Sequence, residues 1–201
     1  VDKLGGGEYT IMPDRIEIGT YLVAGAMTFG DITVEDCVPE HLEAINSKLM
    51  AAGAKIEKGT NSIRVYPGSA KLKALNIRTA PYPLFATDMQ AQFMAMAAVS
   101  EGTSTIVETI FENRFMHANE LMRMGAKIKI EDRIAVIEGI PKLSGTSVTA
   151  TDLRASASLI LAGLVADGVT TMGALHHLDR GYDSIEAKLS NLGAKIKRIT
   201  E

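Results

Sequence analysis

Three stretches of the chain are almost continuously apolar, and they share one layout. They are "PDRIEIGTYLVAGAMTFGDITVED" (13–36), "TDMQAQFMAMAAVSEGTSTIVET" (87–109) and "TDLRASASLILAGLVADGVTTMG" (151–173). Each has an aspartate at its start, continues through a mostly apolar run, turns at a glycine and enters a segment rich in Thr, Ile and Val. A helix that is apolar on all sides is buried on all sides, so each stretch predicts a buried helix followed by a strand.

A second pattern follows each apolar stretch. The strings are "AAGAKIE" (51–57), "RMGAKIK" (123–129) and "NLGAKIK" (191–197), and each closes an amphipathic segment with a glycine. Glycine just beyond an amphipathic run favours a helix end, and apolar–polar alternation after it favours a strand. We therefore expect a helix to end at each glycine and a strand to follow, including "AKIKRIT" (194–200). Further strands are expected at "NSIRVY" (61–66) and "RIAVIE" (133–138).

The two patterns form one unit that occurs three times, at about 12–80, 81–145 and 146–201, after an expected interdomain linker over 1–11. We expect an α/β domain in which three sheets surround three inner helices, with the helix N-termini at one end. The helix dipoles then add at that end, which favours an anion. Because the chain starts without Met and its third unit lacks closing strands, we expect a fragment of a longer protein.

Composition limits the classes of function. The chain is 46% hydrophobic with a formal net charge of -3, which fits a globular protein and argues against a general nucleic-acid binder. A local basic pocket stays open, because net charge says nothing about clustering. The single cysteine, Cys37, fits a reducing compartment such as the cytoplasm. The longest uncharged apolar stretch (155–166) is shorter than the roughly 20 residues of a membrane span, and no signal peptide is visible.

The aspartates at the start of the three apolar stretches have two interpretations. Asp14, Asp88 and Asp152 stand where a helix N-cap is expected, and their recurrence in all three units favours a structural role. Asp88 differs because it follows "RTAPYPLFA" (78–86), whose prolines predict a rigid, extended approach. Such a segment can hold a carboxylate at the mouth of a cleft. Capping and proton transfer therefore both stay open for Asp88.

Four arginines also have two interpretations. Arg15, Arg154 and Arg180 lie beside an aspartate in the sequence, and Arg114 lies in "FENRFMH". Each can form a local ion pair that stabilises a turn. Alternatively, the arginines present their guanidinium groups to a phosphate or carboxylate, which the planar group binds through two parallel hydrogen bonds.

The sequence holds no motif for a metal or another cofactor. His176 and His177 are adjacent, so they do not form a helical metal pair, and no Cys or carboxylate spacing completes a zinc site. His117 is expected to be structural. Cys37 lacks an activating partner nearby, so we expect an ordinary, partly buried thiol.

Four strings in order carry a resemblance to a known family. "TDMQAQF", "ETIFENRFMHANELMRMGAKI", "TDLRASASLILAGL" and "LDRGYDSIEAKLSNLGAKI" resemble the UDP-N-acetylglucosamine 1-carboxyvinyltransferases, enolpyruvyl transferases that begin bacterial peptidoglycan synthesis. The resemblance covers essentially the whole chain and matches the C-terminal portion of the family. It implies an inside-out α/β barrel domain of three repeats with buried inner helices. The family's other domain carries a mobile catalytic loop, and we expect this chain to lack it.

The resemblance also implies a reaction. The enolpyruvyl group of phosphoenolpyruvate moves to the 3-hydroxyl of UDP-N-acetylglucosamine through a tetrahedral intermediate, with loss of phosphate and without a cofactor. The matching substrate-binding positions are Asp88, Ile110, Arg114, Asp152, Arg154 and Arg180. Among them, Asp88 matches the carboxylate that contacts the sugar hydroxyl and acts as its base. The three arginines match the phosphoenolpyruvate side of the cleft. One departure is Ala86, where many members have proline.

Three hypotheses result. The first is one domain of the cytoplasmic transferase, inactive without its missing domain and without nucleic-acid or membrane partners. The second is a module that binds a nucleotide sugar or another anion without turnover. The third is a structural domain whose Asp–Arg pairs support turns. Arginine beside aspartate at the unit starts favours an anion site over the third hypothesis, and the mid-chain start favours a fragment over the second.

Overall fold

The computed structural model describes residues 2–199. The helices are α1 (Arg15–Met27), α2 (Glu43–Ala52), α3 (Gln90–Ala98), α4 (Met116–Arg123), α5 (Leu153–Val165), α6 (His176–Asp179) and α7 (Ile185–Asn191). The strands are β1 (Ile32–Val34), β2 (Ala54–Lys58), β3 (Ile63–Pro67), β4 (Asn76–Arg78), β5 (Thr103–Val107), β6 (Lys127–Glu131), β7 (Ile134–Glu138), β8 (Ser147–Thr149) and β9 (Thr171–Gly173). Residues 2–14 are exposed and precede the first helix.

The three apolar stretches form the inner helices α1, α3 and α5. Every residue of α3 is buried, and most residues of α1 and α5 are buried as well. The three helices contact one another, so each provides apolar surface to the other two. Burial on all sides explains why their sequences show no polar face. The predicted buried helices and the α/β class are confirmed.

Strands form three separate sheets in the described part of the chain. The first has the order β1-β3-β2 and is antiparallel, the second has the order β4-β5-β7-β6, and the third is the parallel pair β8-β9. In the second sheet β4 runs parallel to β5, and the other pairs are antiparallel. The strand β4 closes the first unit but pairs within the sheet of the second unit. Such crossover pairing ties consecutive units together.

Close packing of the first sheet on α1 depends on Gly25. A methyl group at this position would come within 2.7 Å of Val65 Cγ1 and 3.0 Å of Ile32 Cδ1. These two residues are register partners in β3 and β1, and Val65 is fully buried. The absent side chain therefore lets the helix backbone approach the sheet.

The outer helices end as the glycine pattern predicts. Gly53 is the C-cap of α2 with φ of 106°, and Gly125 and Gly193 follow α4 and α7 with φ of 96° and 98°. Left-handed backbone costs glycine little, which is why it terminates all three helices. The strands expected after Gly53 and Gly125 form β2 and β6, and the strands expected near 61–66 and 133–138 form β3 and β7.

The strand expected over 194–200 is wrong for the residues that the structure describes, 194–199, which belong to no helix or strand. Residue 200 lies outside the described residues. In the second unit β6 pairs with β7, whereas no strand of the described third unit takes the place of β7. Alternation gives a segment two faces, but the backbone needs a neighbouring strand for its hydrogen bonds.

The extended approach expected over 78–86 is also wrong. The Leu84 N–H donates to the Pro81 carbonyl at 3.0 Å, and the Ala80 N–H donates to the Phe85 carbonyl at 2.8 Å. These bonds close a compact turn just before the 3-10 turn at Thr87–Met89, which leads into α3. Proline fixes φ at values that turns also use, so its presence does not distinguish a turn from an extended segment.

Within residues 2–199, every helix is too short or too polar to cross a membrane.

Candidate functional site

Asp88 lies at the start of α3 but does not cap it. A 3-10 turn over Thr87–Met89 precedes the helix, and no side-chain cap to α3 is found in the described part of the chain. Asp88 Oδ1 instead accepts a hydrogen bond from Arg114 Nη2 at 2.5 Å, and Oδ2 lies 3.6 Å from Arg154 Nη2. The side chain is 39% exposed. For Asp88 the capping interpretation is wrong, and its carboxylate belongs to a cluster with two arginines.

The other two aspartates of the repeat are caps. Asp14 Oδ1 accepts from the Ile16 N–H of α1 at 2.8 Å. Asp152 Oδ1 accepts from the first-turn N–H groups of Arg154 and Ala155 in α5 at 2.8 and 2.9 Å. These bonds satisfy N–H groups that have no partner inside the helix. The same sequence feature thus has two outcomes, and only Asp88 directs its carboxylate at arginines.

Arg154 contacts the buried phenol of Tyr182. Its Nη1 lies 3.5 Å from Tyr182 Oη, and its guanidinium lies 6.0 Å from the centre of the Tyr182 ring. Tyr182 also shares a 2.9 Å hydrogen bond with Thr20 Oγ1 of α1. Burial raises the pKa of Tyr182, so the phenol stays neutral. The neutral Tyr182 hydroxyl is fixed by its hydrogen bond to Thr20 of α1 and is therefore a fixed polar neighbour of Arg154.

Arg114 is anchored by different partners. It lies in the loop between β5 and α4, where its Nη1 donates to Thr87 Oγ1 at 3.1 Å. Its guanidinium stacks over the Phe111 ring at 4.5 Å from the ring centre. Stacking on an aromatic face and bonding to a hydroxyl both restrict the orientation of the planar group. The guanidinium therefore approaches Asp88 from a defined direction.

Glu108 supports this arrangement from inside the protein. It is 1% exposed, and its Oε1 accepts from Thr79 Oγ1 at 2.8 Å and from the backbone N–H groups of Ile110 and Phe111 at 2.8 and 3.2 Å. Its Oε2 accepts from Thr87 Oγ1 at 2.8 Å. A buried carboxylate with four donors is a satisfied polar centre.

Glu108 and Tyr182 are not among the residues predicted from the sequence. For Glu108 a signal exists, because it continues the alternation of Ser104 and Ile106, the buried positions of β5 and its extension. A glutamate at a position expected to be buried needs hydrogen-bond donors, and that need marks it for attention. For Tyr182 no local pattern indicates the contact with Arg154.

The remaining predicted residues lie outside the cluster of Asp88, Arg114 and Arg154. Ile110 is 39% exposed, in the loop that Glu108 holds. Asp152 caps the helix that carries Arg154. Arg180 is exposed after α6 and forms no ion pair with any residue from 2 to 199. The structure thus joins Asp88, Arg114 and Arg154 directly, and it describes no contact that brings Arg180 to them.

Local Asp–Arg pairing, the alternative interpretation of the arginines, is not found among the described residues. Asp179 pairs at 2.6 Å with Arg198 rather than with its neighbour Arg180. Arg15 lies 4.7 Å from the centre of the Tyr82 ring instead of pairing with Asp14. Arg154 pairs with Asp88 and not with Asp152. The arginines at the unit starts therefore do not serve as local turn supports.

Near Arg114 and Asp152, whose charges act on it, lies a neutral imidazole. His117 of α4 is 2% exposed, and burial lowers its pKa to about 4, the charge of Arg114 acting in the same direction and that of Asp152 in the opposite one. Its Nε2 has no hydrogen-bond partner among the described residues. The imidazole therefore adds no charge, and the chemistry facing solvent is that of a carboxylate and two guanidinium groups.

Metal-type clusters are not found in the described residues, where no group of three or more His, Cys, Asp or Glu side chains could hold an ion. Cys37 is buried, and burial raises the pKa of its thiol. The arrangement at Asp88 can hold an oxyanion through guanidinium donors and can accept a proton through the carboxylate.

Two solved structures with a similar fold are transferases of one class. The enolpyruvyl transferase NikO from Streptomyces tendae matches 94% of this chain with a TM-score of 0.83 and 29% sequence identity, over 45% of that chain. An EPSP synthase from Acinetobacter baumannii matches 88% of this chain, over 44% of its own, with a TM-score of 0.66; its 20% identity shows the fold alone. The fold of this chain, with its three inner helices, is therefore the fold of a domain of the enolpyruvyl transferase class.

The sequence profile of EPSP synthase (3-phosphoshikimate 1-carboxyvinyltransferase) matches residues 1–189, and the chain belongs to this family. Two relatives from Xylella fastidiosa, of strains 9a5c and M23, are named UDP-N-acetylglucosamine 1-carboxyvinyltransferase and are 57% and 56% identical to this chain over 200 residues. The matches cover 100% of this chain and 47% of each relative, so the chain spans about half the length of the curated relatives it matches. The resemblance seen in the sequence is confirmed.

Proposed function

We propose that this chain is part of an enzyme that transfers the enolpyruvyl group of phosphoenolpyruvate to the 3-hydroxyl of UDP-N-acetylglucosamine and releases phosphate. The observation that carries the proposal is the 57% identity, along the whole chain, to a relative named for this reaction. The carboxylate of Asp88 between two guanidinium groups supports it chemically. This reaction is the first step of peptidoglycan synthesis. The single cysteine, Cys37, supports a location in a reducing compartment, the cytoplasm.

Asp88 is the proposed general base for the sugar hydroxyl. An alcohol is a weak nucleophile, and a carboxylate within hydrogen-bond distance accepts its proton as the new bond to carbon forms. Both carboxylate oxygens of Asp88 face arginine nitrogens. The anionic groups of the substrates must therefore draw these donors away when the hydroxyl approaches. On this proposal, substrate binding itself frees the base.

Arg114 and Arg154 are the proposed ligands for the phosphate and carboxylate of phosphoenolpyruvate. Each guanidinium has five N–H donors, and the contacts to Thr87, Asp88 and Tyr182 use only some of them. The free donors suit an oxyanion, which arginine binds through paired hydrogen bonds.

The remaining predicted positions complete the proposed site. Arg180, which is exposed, supplies a third guanidinium once substrate draws its side chain inward. Asp152 caps α5 through Oδ1, which leaves Oδ2 for the reacting centre. Ile110 gives the substrate an apolar contact from the loop that Glu108 holds.

The proposal is tested with the full-length protein that contains this chain. We expect phosphate release only when phosphoenolpyruvate and UDP-N-acetylglucosamine are both present, and mass spectrometry is expected to find the enolpyruvyl group on the nucleotide sugar. Reactions that lack either substrate are the controls. Phosphate release with 3-phosphoshikimate as the acceptor, and not with the nucleotide sugar, would contradict the proposed substrate. Binding of both ligands without phosphate release would favour the non-catalytic anion-binding module.

A further inference from the structure

Glu108 joins three separate segments of the chain beside the cluster. Its carboxylate accepts from Thr79 just after β4, from Thr87 just before α3, and from the N–H groups of the loop that follows β5. The side chain is 1% exposed, so these bonds form away from competing water. Glu108 thus contacts every segment that carries a side chain of the cluster except α5.

The hydroxyl of Thr87 connects Glu108 to the cluster. It donates to Glu108 Oε2 at 2.8 Å and accepts from Arg114 Nη1 at 3.1 Å. A hydroxyl has one hydrogen, so donation to the glutamate turns its lone pairs toward the guanidinium. The carboxylate therefore fixes the direction of the Thr87 hydroxyl, and the hydroxyl fixes one edge of Arg114. The other edge of Arg114 donates to Asp88.

The same carboxylate orders the loop that carries Arg114. Glu108 Oε1 accepts from the N–H groups of Ile110 and Phe111, and the Phe111 ring lies under the Arg114 guanidinium. The position of the ring thus depends on backbone bonds to Glu108. Arg114 is constrained on its face by Phe111 and at its edge by Thr87, and both constraints begin at one buried side chain.

We propose that Glu108 is a positioning residue of the cleft: it sets the place and orientation of Arg114, and thereby the contact of Arg114 with Asp88. The importance of this contact for turnover rests on the proposed function. Glutamine cannot replace the carboxylate, because its amide has one acceptor oxygen and would turn an N–H₂ donor toward a group that now donates. The residue acts through its neighbours and does not touch substrate.

The test uses four variants of the full-length protein: Glu108→Gln, Thr87→Val, the double variant and Thr87→Ser. Valine has the shape of threonine without the hydroxyl, whereas serine keeps the hydroxyl. We expect Glu108→Gln and Thr87→Val each to lower kcat by about tenfold to a hundredfold, since displacements near 1 Å at reacting groups cost this much. The double variant is expected to lose no more kcat than the worse single variant. Both changes break the same chain of hydrogen bonds, from Glu108 through Thr87 to Arg114. Thr87→Ser is expected to restore most of kcat.

Ser104→Ala is the matched control. Ser104 is a buried side chain of β5 whose hydroxyl accepts from the Leu75 N–H at 3.0 Å, away from the cluster. Its loss removes one buried hydrogen bond from the same sheet, so it is expected to lower the thermal midpoint while kcat stays within about twofold. If Glu108→Gln and Thr87→Val only lower the midpoint as Ser104→Ala does, or if their effects on kcat add independently, the positioning role is overturned.

Crystal structures of the variants provide a second readout that does not need turnover. We expect the Arg114–Asp88 contact of 2.5 Å to be lost in Glu108→Gln and Thr87→Val and kept in Ser104→Ala. An unchanged contact in the first two variants overturns the inference whatever their kcat. A displaced Arg114 in a protein whose wild type does not turn over the two proposed substrates supports the positioning role and refutes the proposed function.

Discussion

At the residue scale, the site is a carboxylate that two arginines approach from different elements. Arg114 comes from the loop before α4, and Arg154 comes from the first turn of α5. The two guanidinium groups bring positive charge to the N-terminal ends of α3 and α5, where the helix dipoles add to it. Under the proposed function, this charge attracts the anionic substrate to Asp88, the proposed base.

Arg154→Lys tests whether the guanidinium shape matters beyond its charge. Lysine keeps the charge but has no pair of coplanar donors, so we expect kcat/KM for phosphoenolpyruvate to fall by about tenfold or more in the full-length protein. Steady-state phosphate release measures the effect.

The control for this change is Arg64→Lys. Arg64 forms a two-pronged pair with Asp31 on the exposed surface of the first sheet, and its replacement is expected to leave kcat/KM unchanged. Unaltered kcat and KM in Arg154→Lys would refute a role for the paired donors of the guanidinium.

His117 makes stability depend on pH. Its pKa is about 4 in the folded protein against an ordinary value of 6.5. Between these two pH values the unfolded chain binds a proton at His117 and the folded chain does not. Stability is therefore complete above about pH 6.5 and falls as the pH decreases toward 4, by about 2 kcal/mol from this residue between pH 7 and pH 5. Urea unfolding at the two pH values measures this loss.

His117→Gln is expected to remove that part of the pH dependence, whatever its effect on stability at pH 7. His176→Gln, at an exposed position, is expected to keep it. An equal loss of stability between pH 7 and pH 5 in wild type and His117→Gln would show that the imidazole is not the source.

Residue identities predicted part of the site and not its geometry. Asp14, Asp88 and Asp152 begin similar strings, yet a 3-10 turn delays the start of α3 until Gln90, so only Asp88 stands clear of the helix N–H groups. Whether a helix starts one residue or two residues after an aspartate depends on packing that no local string encodes. Glu108 was missed although the alternation of β5 points to a buried position there, because its partners Thr79 and Thr87 are distant in the sequence.

At the element scale, glycines set the ends of the outer helices, and their surroundings differ. Gly53 and Gly193 have φ of 106° and 98°. A methyl group on Gly53 would overlap Ser69 Oγ, whereas nothing lies within 4 Å of a methyl group on Gly193. The two positions share the backbone strain of an alanine but not the collision.

We therefore expect Gly193→Ala to lower the free energy of unfolding by about 1 kcal/mol, the cost of a left-handed alanine. Gly53→Ala is expected to cost about 2–3 kcal/mol, since Ser69 must also move from its bonds to the Gly53 and Lys71 carbonyls. Denaturant unfolding compares them. Equal losses would show that the collision is relieved without cost.

The long inner helices were predicted, and the short strands β4 and β8 were not. The inner helices are apolar over several turns, which leaves burial as the simple explanation. The strands β4 and β8 have only three residues each, too few for an alternation to stand out, and they exist because β5 and β9 lie beside them. The opposite error, a strand expected over 194–200, arose because an alternating pattern does not supply a partner.

At the scale of the whole molecule, the chain spans about half the length of its curated relatives, 47% of each. The proposed reaction needs groups that take and return protons at the enolpyruvyl carbon, and the cluster of Asp88, Arg114 and Arg154 provides one carboxylate. We propose that the remaining groups, including the mobile catalytic loop, belong to another part of the full-length protein.

We accordingly expect the 201-residue chain by itself to release no phosphate from phosphoenolpyruvate in the presence of UDP-N-acetylglucosamine. The same assay on the full-length protein is the positive control. Release by the purified chain above the background without enzyme would contradict this expectation and would place the whole reaction within the 201 residues.

The most direct measurement is the turnover of Asp88→Asn in the full-length protein, since asparagine keeps the shape of the side chain and cannot accept the proton. We predict that kcat falls by about a hundredfold or more, the usual scale for the loss of a general base. Asp31→Asn, which breaks an exposed pair with Arg64 of the same kind, is the matched control and is expected to keep wild-type turnover. A fall in kcat of less than about fivefold in Asp88→Asn would contradict a role as general base, because the loss of a general base lowers the rate far more than this.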